Sequence, residues 1–436
     1  MSIEKMTQAK AQIEASAGYK TLLSFFDEES FCEIDTFAKS EDTFAEVVAG
    51  FGTVEGMPVY AFAQNSDMCG GAMSKAQSAK LKKLYDLALK TGAPVYGFYN
   101  SLGGRLAQGN ALLSAYGEIL NKASNLSGVV PQVSVILGTC LGTGALNAVS
   151  ADFVIMSKDA KLSIDVTGEN QSADYCAKKG IASVVVDDEA SAIEKAKELL
   201  TYLPSNNLNM APEAFESEPD FSKDCFCCKV TDANSRFVVN AEFGKSAVTA
   251  IARIGGTVAG FVCTKGEALD CPSATKIAKF VRFCDAFSIP VISFVDSTGF
   301  GSIKSAAKVS SAYAEATTVK ISVVTGTAVG SVYVAMAGTG ANTDLTFALP
   351  EAVISPINVE AAAVIMAPEV MNVPVAEQKS AAEKFAKENL GAFTAAENGY
   401  VEDIVTEENL RAKLISALDM LSGKRVPTLA KKHSTI

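Results

Sequence analysis

The chain writes one strand-and-turn pattern twice. Residues 92–103 read GAPVYGFYNSLG and residues 288–299 read SIPVISFVDSTG; in each, proline opens an apolar run that stops at a small polar pair before glycine. Upstream, Leu81, Leu84, Tyr85 and Ala88 lie at helical spacing, as do Ile277, Phe280, Val281 and Cys284, and Lys80 matches Lys276. Downstream, VSVILGTCLGT (133–143) matches ISVVTGTAVGS (321–331), each followed by an aspartate before another apolar run, Asp152 and Asp344. GMPVYAFA (56–63) and GGTVAGFV (255–262) form a further pair. Matched segments in one order mean a duplicated domain, because a period of roughly 190 to 200 residues is far beyond a solenoid repeat.

The duplication predicts two domains, 1–210 and 211–436, in a chain of 436 residues. The boundary falls in YLPSNNLNMAPEAFESEPDFSKD (202–224), where Pro, Asn and Ser interrupt every periodicity. Within each half strands alternate with helices, which predicts an α/β fold with a largely parallel sheet under helices. Ligands then bind beyond the carboxyl ends of the strands.

A net charge of −11 repels nucleic acid and anionic membrane surface, so no nucleic-acid role is expected. The basic cluster KRVPTLAKKHSTI (424–436) reads as a solvated tail. The opening MSIEKMTQAKAQIEASAGYK has no apolar core, and Val129 to Val149 is too interrupted to span a bilayer, which predicts a cytoplasmic chain. Ten cysteines in such a chain predict reduced thiols and no disulfide framework. CFCC (225–228) has C-x-x-C spacing but no second pair, and the only histidine is His433, so no metal is expected.

The turns after the matched strands carry the chemistry. A strand ending in Gly-Thr-x-x-Gly before a helix exposes the first N–H groups of that helix, which suits an oxyanion. A dinucleotide fingerprint fails, because G-T-G-A-L-N from Gly142 lacks the third glycine and no acid closes a strand about 20 residues on. With one histidine at the far end of the chain, Ser-His and Cys-His schemes are not expected. Electrostatic stabilisation by backbone amides is the natural mode.

GGRLAQGNALLSAYGEILNKASNLSGVVPQVSVILGTCLGTGALNAVSADFVIM (103–156), AKFVRFCDAFSIPVISFVDSTGFG (278–301) and AYAEATTVKISVVTGTAVGSVYVAM (312–336) resemble the carboxyltransferase subunits of biotin-dependent acyl-CoA carboxylases and sodium-pumping acyl-CoA decarboxylases. The resemblance runs from about Gly50 to Val370, and the closing KKHSTI is similar to the family's ending. It implies two tandem crotonase-like domains, the first binding an acyl-CoA thioester and the second carboxybiotin. It further implies a homo-oligomer with the site between domains of different subunits, and carboxyl transfer without a side-chain base. The partners implied are a biotin carboxyl carrier protein, since no Ala-Met-Lys-Met-type site is present, and a biotin carboxylase or a membrane decarboxylase subunit. In the last case the chain sits peripherally at the inner membrane.

Carried over by position, Gly142 and Thr143 are the expected thioester hole and Ser331 and Val332, after Gly330, the biotin hole. Cys69, Gly70, Gly71 and Ala72 are expected to line the CoA groove or supply another N–H; Ser101, Gly103, Gly104 and Arg105 form its turn, with Arg105 either orienting the groove or meeting a CoA phosphate. Ser297, Thr298, Gly299 and Phe300 hold the matching turn, and Val334 stands at a position tied to acyl-chain selection. The chain departs from the family at Thr143 and Ser331, where glycine is usual, at Gly326–Val329, which replaces a basic pair, and at a shortened loop after GFGS. These departures keep two other readings open: a CoA-binding scaffold subunit, and other crotonase-type acyl-CoA chemistry.

Overall fold

The computed structural model describes residues 2–426 apart from 41–42, 166, 169 and 223–224. The closing KKHSTI, with His433, lies outside the described residues. The chain divides into two compact units, Met1–Ala211 and Pro212–Ile436.

The first unit is built on an antiparallel pair, β1 (Val47–Val54) and β2 (Met57–Gln64), continued in parallel by β3 (Val95–Ser101), β4 (Gln132–Leu141), β5 (Phe153–Ser157) and β6 (Val184–Val186). Helix α1 (Lys75–Thr91) joins β2 to β3, α2 (Ala111–Leu126) joins β3 to β4, and α3 (Thr143–Val149) follows β4. The second unit repeats the order: β7 (Ala247–Ile254), β8 (Thr257–Thr264), α4 (Cys271–Ala286), β9 (Val291–Ser297), α5 (Ile303–Glu315), β10 (Lys320–Val329), α6 (Ser331–Met336) and β11 (Leu345–Ala348). A short strand off each main path, Lys161–Ser163 or Val353–Ser355, pairs with the end of β4 or β10.

The matched helices form for matched reasons. Ser74 caps α1 by accepting from the Gln77 N–H, and Gly92 ends it at φ 65°. Asp270 caps α4 by accepting from the Ser273 N–H, with Pro272 in the first turn. Leu81 and Ile277 are buried at equivalent positions. Truncating either to alanine removes about 2–5 kcal/mol. The matched lysines are internal locks: Lys80 Nζ meets Glu33 at 2.6 Å, and Lys276 Nζ donates to the Phe243 and Ala247 carbonyls at 2.6 and 2.7 Å. The matched aspartates accept the first N–H of the neighbouring strand, Asp152 from Gln132 and Asp344 from Lys320, each at 2.8 Å.

Both sheets open at the same place. β3 pairs with β4 as far as Tyr99 opposite Ile136 and resumes at Ser101 opposite Cys140, so Leu137, Gly138 and Thr139 face Asn100 alone. β9 pairs with β10 as far as Val295 opposite Val324 and resumes at Ser297 opposite Ala328, leaving Thr325, Gly326 and Thr327 to face Asp296. The polar side chain fills each gap: Asn100 Oδ1 accepts from the Thr139 N–H at 3.3 Å and Asp296 Oδ1 from the Thr327 N–H at 2.8 Å. Only glycine fits opposite, since a Cβ on Gly138 would lie 2.5 Å from Asn100 Oδ1 and one on Gly326 would collide with the Asp296 carboxylate.

The cysteine expectation is corrected at one pair. Cys225 caps the short helix Phe226–Val230, which places Cys228 one turn on and on the same side, and the two form a disulfide. The other cysteines are free thiols. Among the described residues no helix is long and apolar enough to cross a membrane.

Gly326→Ala forces the Asp296 side chain from its gap and is expected to lower unfolding free energy by about 1–3 kcal/mol. Gly117→Ala, inside α2 with open space at its Cβ, is expected to raise it by about 0.5–1 kcal/mol. Denaturant unfolding of both variants checks the contrast.

Candidate active site

Opening the ladder frees the end of β4 to turn away from β3. Its last residues pair with Lys161–Ser163, and the chain then bends at Gly142 (φ 72°, ψ −149°) into α3. The end of β10 pairs with Val353–Ser355 and bends at Gly330 (φ 50°, ψ −111°) into α6. Both glycines occupy the left-handed half of backbone space, and a Cβ on Gly330 would lie 2.8 Å from the Pro356 carbonyl. Each glycine N–H is held by the short strand: Gly142 donates to the Ser163 carbonyl at 2.9 Å and Gly330 to the Ser355 carbonyl at 2.7 Å.

This engagement moves the expected donor pair in the first unit. The Gly142 N–H is occupied, whereas the N–H groups of Thr143 and Gly144 have no acceptor among the described residues. The second unit leaves the equivalent groups of Ser331 and Val332 without an acceptor among the described residues. Thr143 and Ser331 are exposed, so their side chains stand clear of their own amides. Each turn therefore offers two adjacent, undonated amides at the start of a helix, an arrangement suited to a localised negative oxygen.

A second turn stands beside each hole. Ser101 Oγ donates to the Gly103 carbonyl and accepts from the Gly103 N–H, and Ser297 does the same with Gly299. The Gly103 carbonyl accepts from the Met73 N–H at 2.8 Å, and the Gly299 carbonyl from the Leu269 N–H at 2.9 Å. Thr298 is exposed and Phe300 half-buried. Cys69 to Ala72 brace the first of these turns from behind: Gly70 accepts from the Leu102 N–H, and Gly71 packs so closely on the Asn100 carbonyl that no Cβ fits. The N–H groups of Gly71 and Ala72 are bound within their own turn, to Met68 and Cys69, so neither is a spare donor.

Arg105 is one half of an internal ion pair. Its Nη1 lies 2.9 Å from Oε1 of the fully buried Glu46 and 2.9 Å from Ser40 Oγ, while Ser74 Oγ donates to Glu46 Oε2 at 2.6 Å. That engagement favours the orienting role over a phosphate contact, because removing the arginine would leave a buried carboxylate unpaired. Val334, 54% exposed on α6, lines a cavity of about 730 Å³ with Gly330, Ser331, Tyr333, Met366 and Tyr400. The cavity is largely apolar and opens directly on the second amide pair.

Asn100 and Asp296 are the residues the sequence pattern undervalues. Each closes an apolar run and so reads as the first residue of a turn. The available signal was their register opposite the matched Gly138 and Gly326.

Residues 20–436 match the carboxyl transferase domain family. The chain is 32% identical to the methylmalonyl-CoA decarboxylase subunit alpha of Propionigenium modestum, over 95% of this chain and 92% of that one. It is 33% identical to a putative propionyl-CoA carboxylase beta chain of Bacillus subtilis, over 99% and 96%. The fold matches a crystal structure of the transcarboxylase 12S hexamer with methylmalonyl-CoA and methylmalonic acid bound, at TM-score 0.91 and 30% identity, covering 99% of this chain and 98% of that one.

Thr143→Pro removes one free N–H at a first helical position, where proline is tolerated. Thermal unfolding is expected to stay within a few degrees of wild type while turnover falls about 10²–10³-fold. Steady-state kinetics beside a melting curve separates the two effects.

Proposed function

The chain belongs to the carboxyl transferase domain family, and from that premise we propose that it moves a carboxyl group between carrier-bound biotin and the α-carbon of a short acyl-CoA. The observation that carries this reading is the pair of equivalent turns, each with two undonated amides. Carboxyl transfer at a thioester α-carbon develops two negative oxygens, one on the thioester and one on the ureido ring, and two holes answer them.

In this reading Thr143 and Gly144 donate to the thioester oxygen as it gains enolate charge, which lowers the cost of removing the α-proton. Ser331 and Val332 donate to the ureido oxygen. The largely apolar cavity beside them fits a ring with a polar edge and an aliphatic body. Carboxybiotin, when bound, would supply the carboxyl group and, once that group has left, a ureido nitrogen that accepts the α-proton. No imidazole or carboxylate of the chain is assigned the proton, consistent with the turns being built from Gly, Thr, Ser and Val. Arg105 and Glu46 hold the Ser101–Gly104 turn against β1 and α1, and so fix the floor of the acyl-CoA groove.

The relatives' names point to acyl groups of the propionyl and methylmalonyl size, and Val334, a small apolar side chain beside the second hole, suits an acyl chain of that length. The partners in this proposal are a biotin carboxyl carrier protein and either a biotin carboxylase or a membrane decarboxylase subunit, with the chain itself assembled as a homo-oligomer.

Purified protein incubated with free biotin and methylmalonyl-CoA or malonyl-CoA is expected to form the decarboxylated acyl-CoA at a rate proportional to biotin. Ser331→Pro is expected to lower that rate about 10²–10³-fold with CoA affinity unchanged. Chromatography of CoA thioesters checks both. Tight CoA binding with no biotin-dependent product from either substrate would contradict the proposal.

A further inference from the structure

Tyr116 stands on α2, the helix between the two turns of the first unit. The residue is 6% exposed; among the described residues its hydroxyl makes no hydrogen bond, and the oxygen keeps some access to solvent. Its backbone carbonyl accepts from Asn147 Nδ2 at 3.4 Å. A phenol whose ring is packed and whose oxygen is unengaged is free to donate to a ligand.

The hydroxyl points at the first hole. A Cβ on Gly104 would lie 3.3 Å from the hydroxyl oxygen, and one on Gly144 would lie 4.0 Å from it. Gly104 belongs to the Ser101 turn, and Gly144 carries one of the two undonated amides of α3. The oxygen thus occupies the corner where the two turns meet. Glycine at 104 is what makes the corner available; the second unit has Phe300 at the equivalent position. The second unit also ties up its own tyrosine: on α5, the hydroxyl of the fully buried Tyr313 is 2.7 Å from Ser293 Oγ.

We propose that Tyr116 is a third donor of the acyl-CoA hole, its O–H adding to the Thr143 and Gly144 N–H groups at the thioester oxygen. Burial, assisted by the neighbouring Cys140 thiol, pushes its pKa up to about 12, so the phenol keeps its proton at any working pH. A neutral phenol in an apolar corner stabilises an enolate by donating a hydrogen bond that strengthens as charge builds on the acceptor. In the second unit the matched tyrosine hydroxyl is engaged by Ser293 instead, which distinguishes a hole that receives a full enolate from one that receives a ureido oxygen. The inference rests on the carboxyltransferase reading and assigns a residue to its acyl-CoA side.

Tyr116→Phe removes the oxygen and keeps the ring. With free biotin and methylmalonyl-CoA, kcat is expected to fall about 10²-fold. Affinity for CoA itself, which has no thioester carbonyl, and the thermal midpoint are expected to match wild type. The carbonyl stretch of the bound thioester is expected to lie at higher wavenumber in the variant than in wild type, a signature that loss of packing does not produce. In a crystal of wild-type protein with an unreactive acyl-CoA analogue, the carbonyl oxygen is expected about 2.6–3.2 Å from the Tyr116 hydroxyl, which tests the contact without any variant. A kcat within twofold of wild type, or a carbonyl oxygen beyond reach of the hydroxyl, overturns the Tyr116 assignment and leaves the carboxyltransferase reading standing. Absence of biotin-dependent turnover in wild type overturns both.

Discussion

A polar side chain wedged between two parallel strands is the contact on which the rest of this structure depends. Asn100 in the first unit and Asp296 in the second replace a stretch of ladder with one side-chain hydrogen bond to the facing strand. The facing strand must then bulge, its freed end pairs with a new short strand, and that strand takes up the N–H of Gly142 or Gly330. Everything the turns offer chemically follows from that capture. With the glycine amide held, the next two amides, at the start of a helix, have no acceptor among the described residues.

The two wedges are supported from the strand on their other side. Gln64, at the end of β2, accepts from the Asn100 N–H at 3.2 Å, and Thr264, at the end of β8, accepts from the Asp296 N–H at 2.6 Å. The amide and side chain of each wedge residue are therefore both fixed, on opposite strands. Such a position is rigid without being apolar, which suits a site whose donors must be aimed before charge develops. The charge on Asp296, absent from Asn100, gives its gap the shorter hydrogen bond, as a charged acceptor does.

The duplication, the parallel sheets and the location of the turns were legible in the sequence because buried strands and amphipathic helices repeat their apolar positions. Leu81 against Ile277 and Gly142 against Gly330 show this. Which amide of the first turn is engaged depends on the Ser163 carbonyl, which takes the Gly142 N–H, a contact that no local pattern encodes. Arg105 reads equally as ligand contact or structural ion pair until Glu46, far away in sequence, is found fully buried beside it. The C-x-x-C spacing at Cys225 and Cys228 was weighed for zinc; the start of a short helix turned it into a disulfide. Tyr116 looks like one more apolar position of an amphipathic helix, and only Gly104 across the turn reveals its hydroxyl.

The central claim is that a wedge in the ladder, which supplies none of the free amides itself, sets the aim of the donors. Carboxyl transfer from methylmalonyl-CoA to free biotin in Asp296→Ala measures it most directly, because every residue of both holes is intact in that variant. The account predicts a fall of about 10²-fold in the transfer rate with unchanged affinity for CoA, which the proposal assigns to the other unit. A transfer rate equal to wild type in a folded Asp296→Ala protein would contradict it.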